Sequence, residues 1–169
     1  MKLVELFLSE LDKEAQRSRR ALEQMPEGKH DWKPHDRSMI FGYLSQLVAI
    51  MPMWITMQIN QDALDLKPVS GSGFKMPPMN TRDEYLKAHE KAVSDAREAF
   101  KSTTEDHLMK PWRLLVAGNV VAEGPRHEMI RDTFAHLAHH RGQMTVYLRL
   151  LGAKVPALYG PSADDQSFA

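Results

Sequence analysis

The stretch RHEMIRDTFAHLAHHRGQMTVYLRLL, residues 126–151, decides the fold. At about 100° per residue, Ile130, Leu137, Met144, Leu148 and Leu151 share one stripe with Phe134 at its border, so the segment reads as a long helix with that stripe on a core. Gly152 supplies a stop and Pro156 prevents continuation. A second, more polar stripe holds His136, His140, Gln143 and Tyr147 at the shoulder of the first. Two imidazoles at i and i+4 lie about one turn apart, close enough to reach one divalent ion. Asp132, one turn before His136, offers a further ligand or an acceptor that orients its ring. Spacing alone favours the plainer alternative, in which the pair sits at a solvent edge and Gln143 and Tyr147 finish the packing. His139 points about 60° away from His136 and reads as an edge residue rather than a third ligand. His30, His35, His89, His107 and His127 are scattered, and surface placement is expected for each. Arg141 lies near the apolar stripe, where a salt bridge to an acid on the first helix is favoured over a bound anion.

Three other helical segments surround this one. Leu3, Phe7, Leu11 and Ala15 recur every fourth residue, with Leu22 further on, which gives a first amphipathic helix over residues 2 to about 25. PEGKHDWKPHDRS (26–38) reads as a loop ending on Ser38, a good N-cap. Residues 39 to about 60 are apolar on most sides and give a buried second helix, kinked at Pro52. LKPVSGSGFKMPPMN (66–80) is a long connection. Thr81 with Glu84 is a capping-box signature for a third helix to about Ser102. PWRLLVAGNVVAEGP (111–125) holds two short β-prone runs around Ala-Gly-Asn, a small hairpin. The tail, 155–169, is expected to lie extended on the surface. Four long helices with irregular links argue for a four-helix bundle in one domain spanning 1–169.

Composition narrows the partners. Twenty-two basic residues balance 22 acidic ones, and no Lys/Arg run suggests a nucleic-acid groove. Without cysteine, a metal must be held by His or carboxylate. Glu5 and Glu10 interrupt the N-terminal apolar pattern, and no apolar run approaches the roughly 20 residues of a membrane span. A soluble cytoplasmic protein is expected. Trp32, Trp54 and Trp112 read as packing residues, and Met39, Met51, Met53 and Met57 as adaptable core or dimer-interface filler.

AHLAHHRGQMTVYLRLLGAKVPALYGPSADD (135–165), the hairpin before it and DWKPHDRSMIFGYLSQLVAIMPMW (31–54) together resemble the DinB-like (damage-inducible) superfamily over nearly the whole chain. The resemblance implies an all-α four-helix bundle of the up-down-down-up type with a small hairpin before the last helix, often assembled as a homodimer. Members commonly hold a divalent metal, such as Zn or Ni, with three histidines. Some are S-transferases using low-molecular-weight thiols such as bacillithiol, some are thiol-dependent isomerases, and many have no known activity, so the resemblance implies function only loosely.

The two histidines of the last helix carry over to His136 and His140. The third does not: where the family pattern has Gly-x-Leu-x-x-His-Val-Ala, this chain has Gly42-Tyr43-Leu44-Ser45-Gln46-Leu47-Val48-Ala49, with Leu47 at the ligand position. Three arrangements follow. The site is metal-free, or it is rebuilt with an oxygen ligand from Gln46, Asp132 or Tyr147, or an ion binds weakly through two histidines and water. The expectation is a metal-free or weakly loaded site with a small-molecule-binding or stress-related role. The alternative is a metal-dependent thiol S-transferase or hydrolase-like enzyme.

Overall fold

A computed structural model of the protein describes residues 2–71, 73, 75–76 and 78–167. Its element order is α1 (Leu3–Leu22), α2 (Phe41–Ile50), α3 (Pro52–Asn60), β1 (Ala63–Asp65), α4 (Arg82–Ser102), α5 (Glu105–Leu108), β2 (Pro111–Val116), β3 (Asn119–Pro125) and α6 (Arg126–Leu150). The protein is therefore mostly helical with a small three-stranded sheet. Six helices replace the expected four, partly because Pro52 does more than kink the second one. Lacking an N–H, it ends the hydrogen-bond ladder of α2, and α3 restarts with Pro52 as its first residue. Helix α2 starts at Phe41 with Ile40 as its N-cap and no side-chain cap, so Ser38 does not play that part.

The anticipated start of α4 is realised: Thr81 Oγ1 accepts from the Glu84 N–H at 3.3 Å, and Glu84 Oε2 accepts from the Thr81 N–H at 3.0 Å. Helix α6 closes with a Schellman motif, the Ala153 N–H donating to the Leu148 carbonyl and the Gly152 N–H to that of Arg149, with Gly152 at φ +72°.

Strands β2 and β3 form the expected antiparallel hairpin, and β1, three residues long and without alternation to betray it, adds in parallel along β2. Its Asp65 carboxylate then accepts from the Ala117 and Gly118 N–H groups of the hairpin turn, at 3.1 and 2.8 Å. Both turn residues have positive φ, 51° at Ala117 and 78° at Gly118. This suits the two-residue turns that match strand twist, but Ala117 pays a steric penalty that asparagine avoids. Ala117→Asn should raise stability by about 0.5–1 kcal/mol, read as a higher urea midpoint with unchanged slope.

Two apolar clusters fill the helical layer. One gathers Leu22, Phe41, Leu44, Leu47, Met51, Leu137, Met144 and Leu148, and the other Phe7, Leu11, Ile55, Ile59, Phe100, Ile130 and Phe134. Along α1, buried Glu14 and Ser18 fall between the residues of these clusters. Arg141, fully buried, meets them there: it pairs with the Glu14 carboxylate, donates to Ser18 Oγ at 3.0 Å, and reaches the Tyr159 hydroxyl. At the same level His89, on α4, has Nδ1 3.1 Å from the Ala49 carbonyl and Nε2 3.0 Å from that of Ala15.

The expected surface placement fails for His89, which is 2 % exposed, and partly for His30, stacked on Tyr85, and for His107 and His127, whose rings bond the carbonyls of Ile59 and Leu108. The tail runs without helix or strand and largely at the surface, as expected, except at one point. Pro156, Ala157 and Leu158 are buried, and Asp165 ties the segment to α1 through Arg20, at 2.6 Å. Backbone N–H donors and Arg20 hold the Asp165 carboxyl well below its ordinary range.

Candidate functional site

The face of α6 that carries the histidines looks toward α3 and the sheet. The rings of His136 and His140 lie 4.5 Å apart, centroid to centroid, and the edge of His136 meets Trp54 of α3 at 5.6 Å. Partial burial, with the neighbouring His140 and His139 rings adding repulsion, pushes the His136 imidazole below its ordinary pKa. His140 is 7 % exposed, and its Nδ1 stands 2.8 Å from Gln143 Oε1. With that oxygen as acceptor, His140 carries its proton on Nδ1 and leaves Nε2 as a lone pair, the arrangement in which an imidazole accepts a proton or ligates. His139 is exposed, with its ring 5.2 Å from that of His140.

The other residues of the sequence reading are dispersed. Asp132 is exposed and pairs with Arg131 at 2.9 Å while forming part of the wall beside His136. Tyr147 turns into the core: it is 9 % exposed, meets Trp32 edge-on, and donates to the Met39 carbonyl at 3.2 Å. It therefore does not share the histidines' environment, because its ring reaches across to the loop before α2. Arg141 belongs to the buried ion pair with Glu14 on α1, the pairing favoured from sequence. Leu47 is 7 % exposed and packs in the cluster that contains Leu137 and Met144. Among the described residues no three of His, Cys, Asp and Glu are grouped for a metal ion. The donor set thus does not make the three-histidine site that the resemblance implies.

What the sequence did not reveal is a pocket of about 150 Å³ that opens beside His136, between α3, α6 and the sheet. Trp54 and Met57 come from α3, Met129 from α6, Trp112 and Leu114 from β2, and Leu64 from β1. At its base Gln58 Nε2 donates to Thr133 Oγ1 at 3.0 Å, and both side chains are buried. A signal for these two existed: Gln58 falls one turn after Trp54, and Thr133 one turn before Leu137, each in line with apolar positions. No helix of the described chain is long and apolar enough to cross a membrane.

Comparison with known proteins agrees with the fold. The profile of the DinB family matches residues 1–167. An uncharacterised protein of Bacillus subtilis (strain 168), YrdA, is 29 % identical over 89 residues, 52 % of this chain and 51 % of its own, so the match spans about half the length of that relative. A DinB-like protein from Bacillus cereus ATCC 10987 superposes with a TM-score of 0.68 at 18 % identity, over 90 % of this chain and 95 % of its own. YjoA, a DinB-like protein from Bacillus subtilis, does so with a TM-score of 0.66 at 13 % identity, over 95 % and 99 %. At such identities the superpositions speak for the fold alone.

Proposed function

Because the chain belongs to the DinB family, we propose that it is a small-molecule-binding or stress-related protein. In this reading the His136–His140 pair remains as a hydrogen-bonding and proton-accepting centre, and the metal site is degenerate. The long helices α1, α2 with α3, α4 and α6 serve as the family's four-helix bundle. The observation that carries this reading is Leu47, a hydrocarbon packed in the core at the position where the family pattern has its third histidine. Two of the oxygens that could rebuild the site are engaged elsewhere, Asp132 with Arg131 and Tyr147 with the Met39 carbonyl. Two imidazoles and water hold a divalent ion far less tightly than three imidazoles.

A second reading, a metal-dependent enzyme related to bacillithiol S-transferases, is favoured by the Gln143 contact that leaves His140 Nε2 as a lone pair. Metal analysis of untagged protein after dialysis separates the two. The first expects clearly substoichiometric Zn and Ni, and near-stoichiometric metal overturns it. Leu47→His should tighten zinc binding at least about tenfold in a competition titration; wild type binding as tightly as the variant hands the case to the second reading. Val146 and Leu150, exposed one turn apart on α6, support a homodimer. Light scattering should return twice the chain mass.

A further inference from the structure

The pocket between α3, α6 and the sheet has a chemistry of its own, and its occupant deepens the small-molecule reading above and rests on it. We propose that this pocket takes a compact, uncharged aromatic ring bearing one hydroxyl or N–H group, a phenol in its simplest form, with the ring between Trp54 and Trp112 and the polar hydrogen directed to Gln58 and Thr133.

Size sets the first limit. A cavity of about 150 Å³ matches the engineered apolar cavities that hold a single benzene-sized molecule. The wall sets the second: two indoles and the thioethers of Met57 and Met129 favour a flat, polarisable guest over a branched aliphatic one.

The base supplies the polar requirement. Thr133 Oγ1 has one proton and two acceptors within reach, Gln58 Oε1 at 3.2 Å and its own helix's Met129 carbonyl at 3.1 Å. Gln58 Nε2 also reaches the Met129 carbonyl, at 3.4 Å, so Gln58 Oε1 has Thr133 as its one donor, and it is left without one whenever that proton turns to Met129. A guest O–H or N–H completes it. Charge sets the last limit. The described lining holds neither Lys nor Arg, and its one carboxylate, Asp132, is already paired with Arg131, so an anionic ring would lose water without gaining an opposite charge.

Titration of the full-length protein with phenol, toluene and benzoate, followed by tryptophan fluorescence and ligand-detected NMR, tests this. Saturable binding of phenol and toluene is expected, with phenol at least about tenfold tighter than benzoate. Thr133→Val should bring phenol down to the level of toluene while leaving toluene unchanged, which also shows that the variant is folded. Met129→Trp, or Leu64→Trp from the opposite wall should the first not fold, should weaken both rings at least about tenfold by filling the space. Absence of saturable binding by either ring, benzoate binding as tightly as phenol, or filled variants that bind like wild type overturns the proposal. Ring binding is read without metal, so a protein that takes phenol and also retains stoichiometric zinc keeps this inference and loses the metal-poor reading. One that binds neither loses only this inference.

Discussion

Glu14→Ala should cost about 3–5 kcal/mol of folding stability, the largest loss expected of any single substitution considered. Glu14 is 3 % exposed and is the carboxylate partner of Arg141, which is fully buried. Removing it strands a guanidinium between two apolar clusters, where neither water nor another acid neutralises it. Arg17, which also bonds Glu14 but lies at the margin with its guanidinium 4.2 Å over the Tyr159 ring, keeps access to solvent. Arg17→Ala should therefore cost only about 1 kcal/mol or less. The double variant Glu14→Leu with Arg141→Met removes both charges and should recover most of the loss, since the buried pair repays its own desolvation only in part. Urea unfolding of the four proteins at neutral pH measures the difference. Equal losses for Glu14→Ala and Arg17→Ala would place the stabilising charge at the margin instead.

The second large effect is expected at His89, and it depends on pH. Its two ring nitrogens each face a helix carbonyl, from Ala15 of α1 and Ala49 of α2, and the neutral ring donates to one of them. A neutral imidazole donates one hydrogen bond and an imidazolium two, but burial outweighs the two carbonyls and holds the pKa below its ordinary value, with Arg19 adding to the effect. The unfolded chain takes up a proton as the pH drops below about 6.5, while the folded chain resists it. Stability contributed by His89 is accordingly present at neutral pH and declines through the window between about 6.5 and the lower folded-state value, by at most about 1.4 kcal/mol per pH unit. His89→Leu should lose about 2–3 kcal/mol at pH 7.5 from the missing hydrogen bond and altered packing. Its stability should also fall less steeply between pH 7.5 and 5.5 than that of wild type. Other histidines and carboxylates titrate in both proteins, so the difference between the two slopes isolates this ring. Parallel slopes would mean that His89 exchanges protons as freely folded as unfolded.

Both residues show where the sequence was legible and where it was not. The helices were readable because their apolar stripes are long, and the ends of α4 and α6 because Thr81, Glu84 and Gly152 are chemically specific stops and starts. The pairing of Arg141 with an acid on α1 was also readable, since a guanidinium beside an apolar stripe needs one. The first helix misled in detail. Counting every fourth residue leads from Leu11 to Ala15, whereas the buried line steps by three to Glu14 and then by four to Ser18, and a polar residue in the core breaks the rule by which the stripe is traced. His89 hid in the same way, although it falls four residues from both Tyr85 and Val93, which are buried. For the candidate site, the His136–His140 adjacency followed from helical spacing. The pocket beside it did not, because its walls come from segments some 60 residues apart in the chain and meet through non-local events, the packing of α3 on α6 and the parallel pairing of β1 with β2, the latter with no signature in three residues.

Arg126 gives that pocket a property its lining residues do not. From the first turn of α6, its guanidinium donates to the Pro111 carbonyl at the start of β2 and to the Gln61 carbonyl just beyond α3, and it pairs with Asp62, next to β1. One rigid, planar group therefore fixes the mutual distances of the helix that carries the histidines, the helix that carries Trp54 and the strands that roof them. It acts as a gauge block: the gap available to a guest is set by a residue that does not line it, and a lysine there, with one compact ammonium in place of a planar fork, would hold the three elements less rigidly.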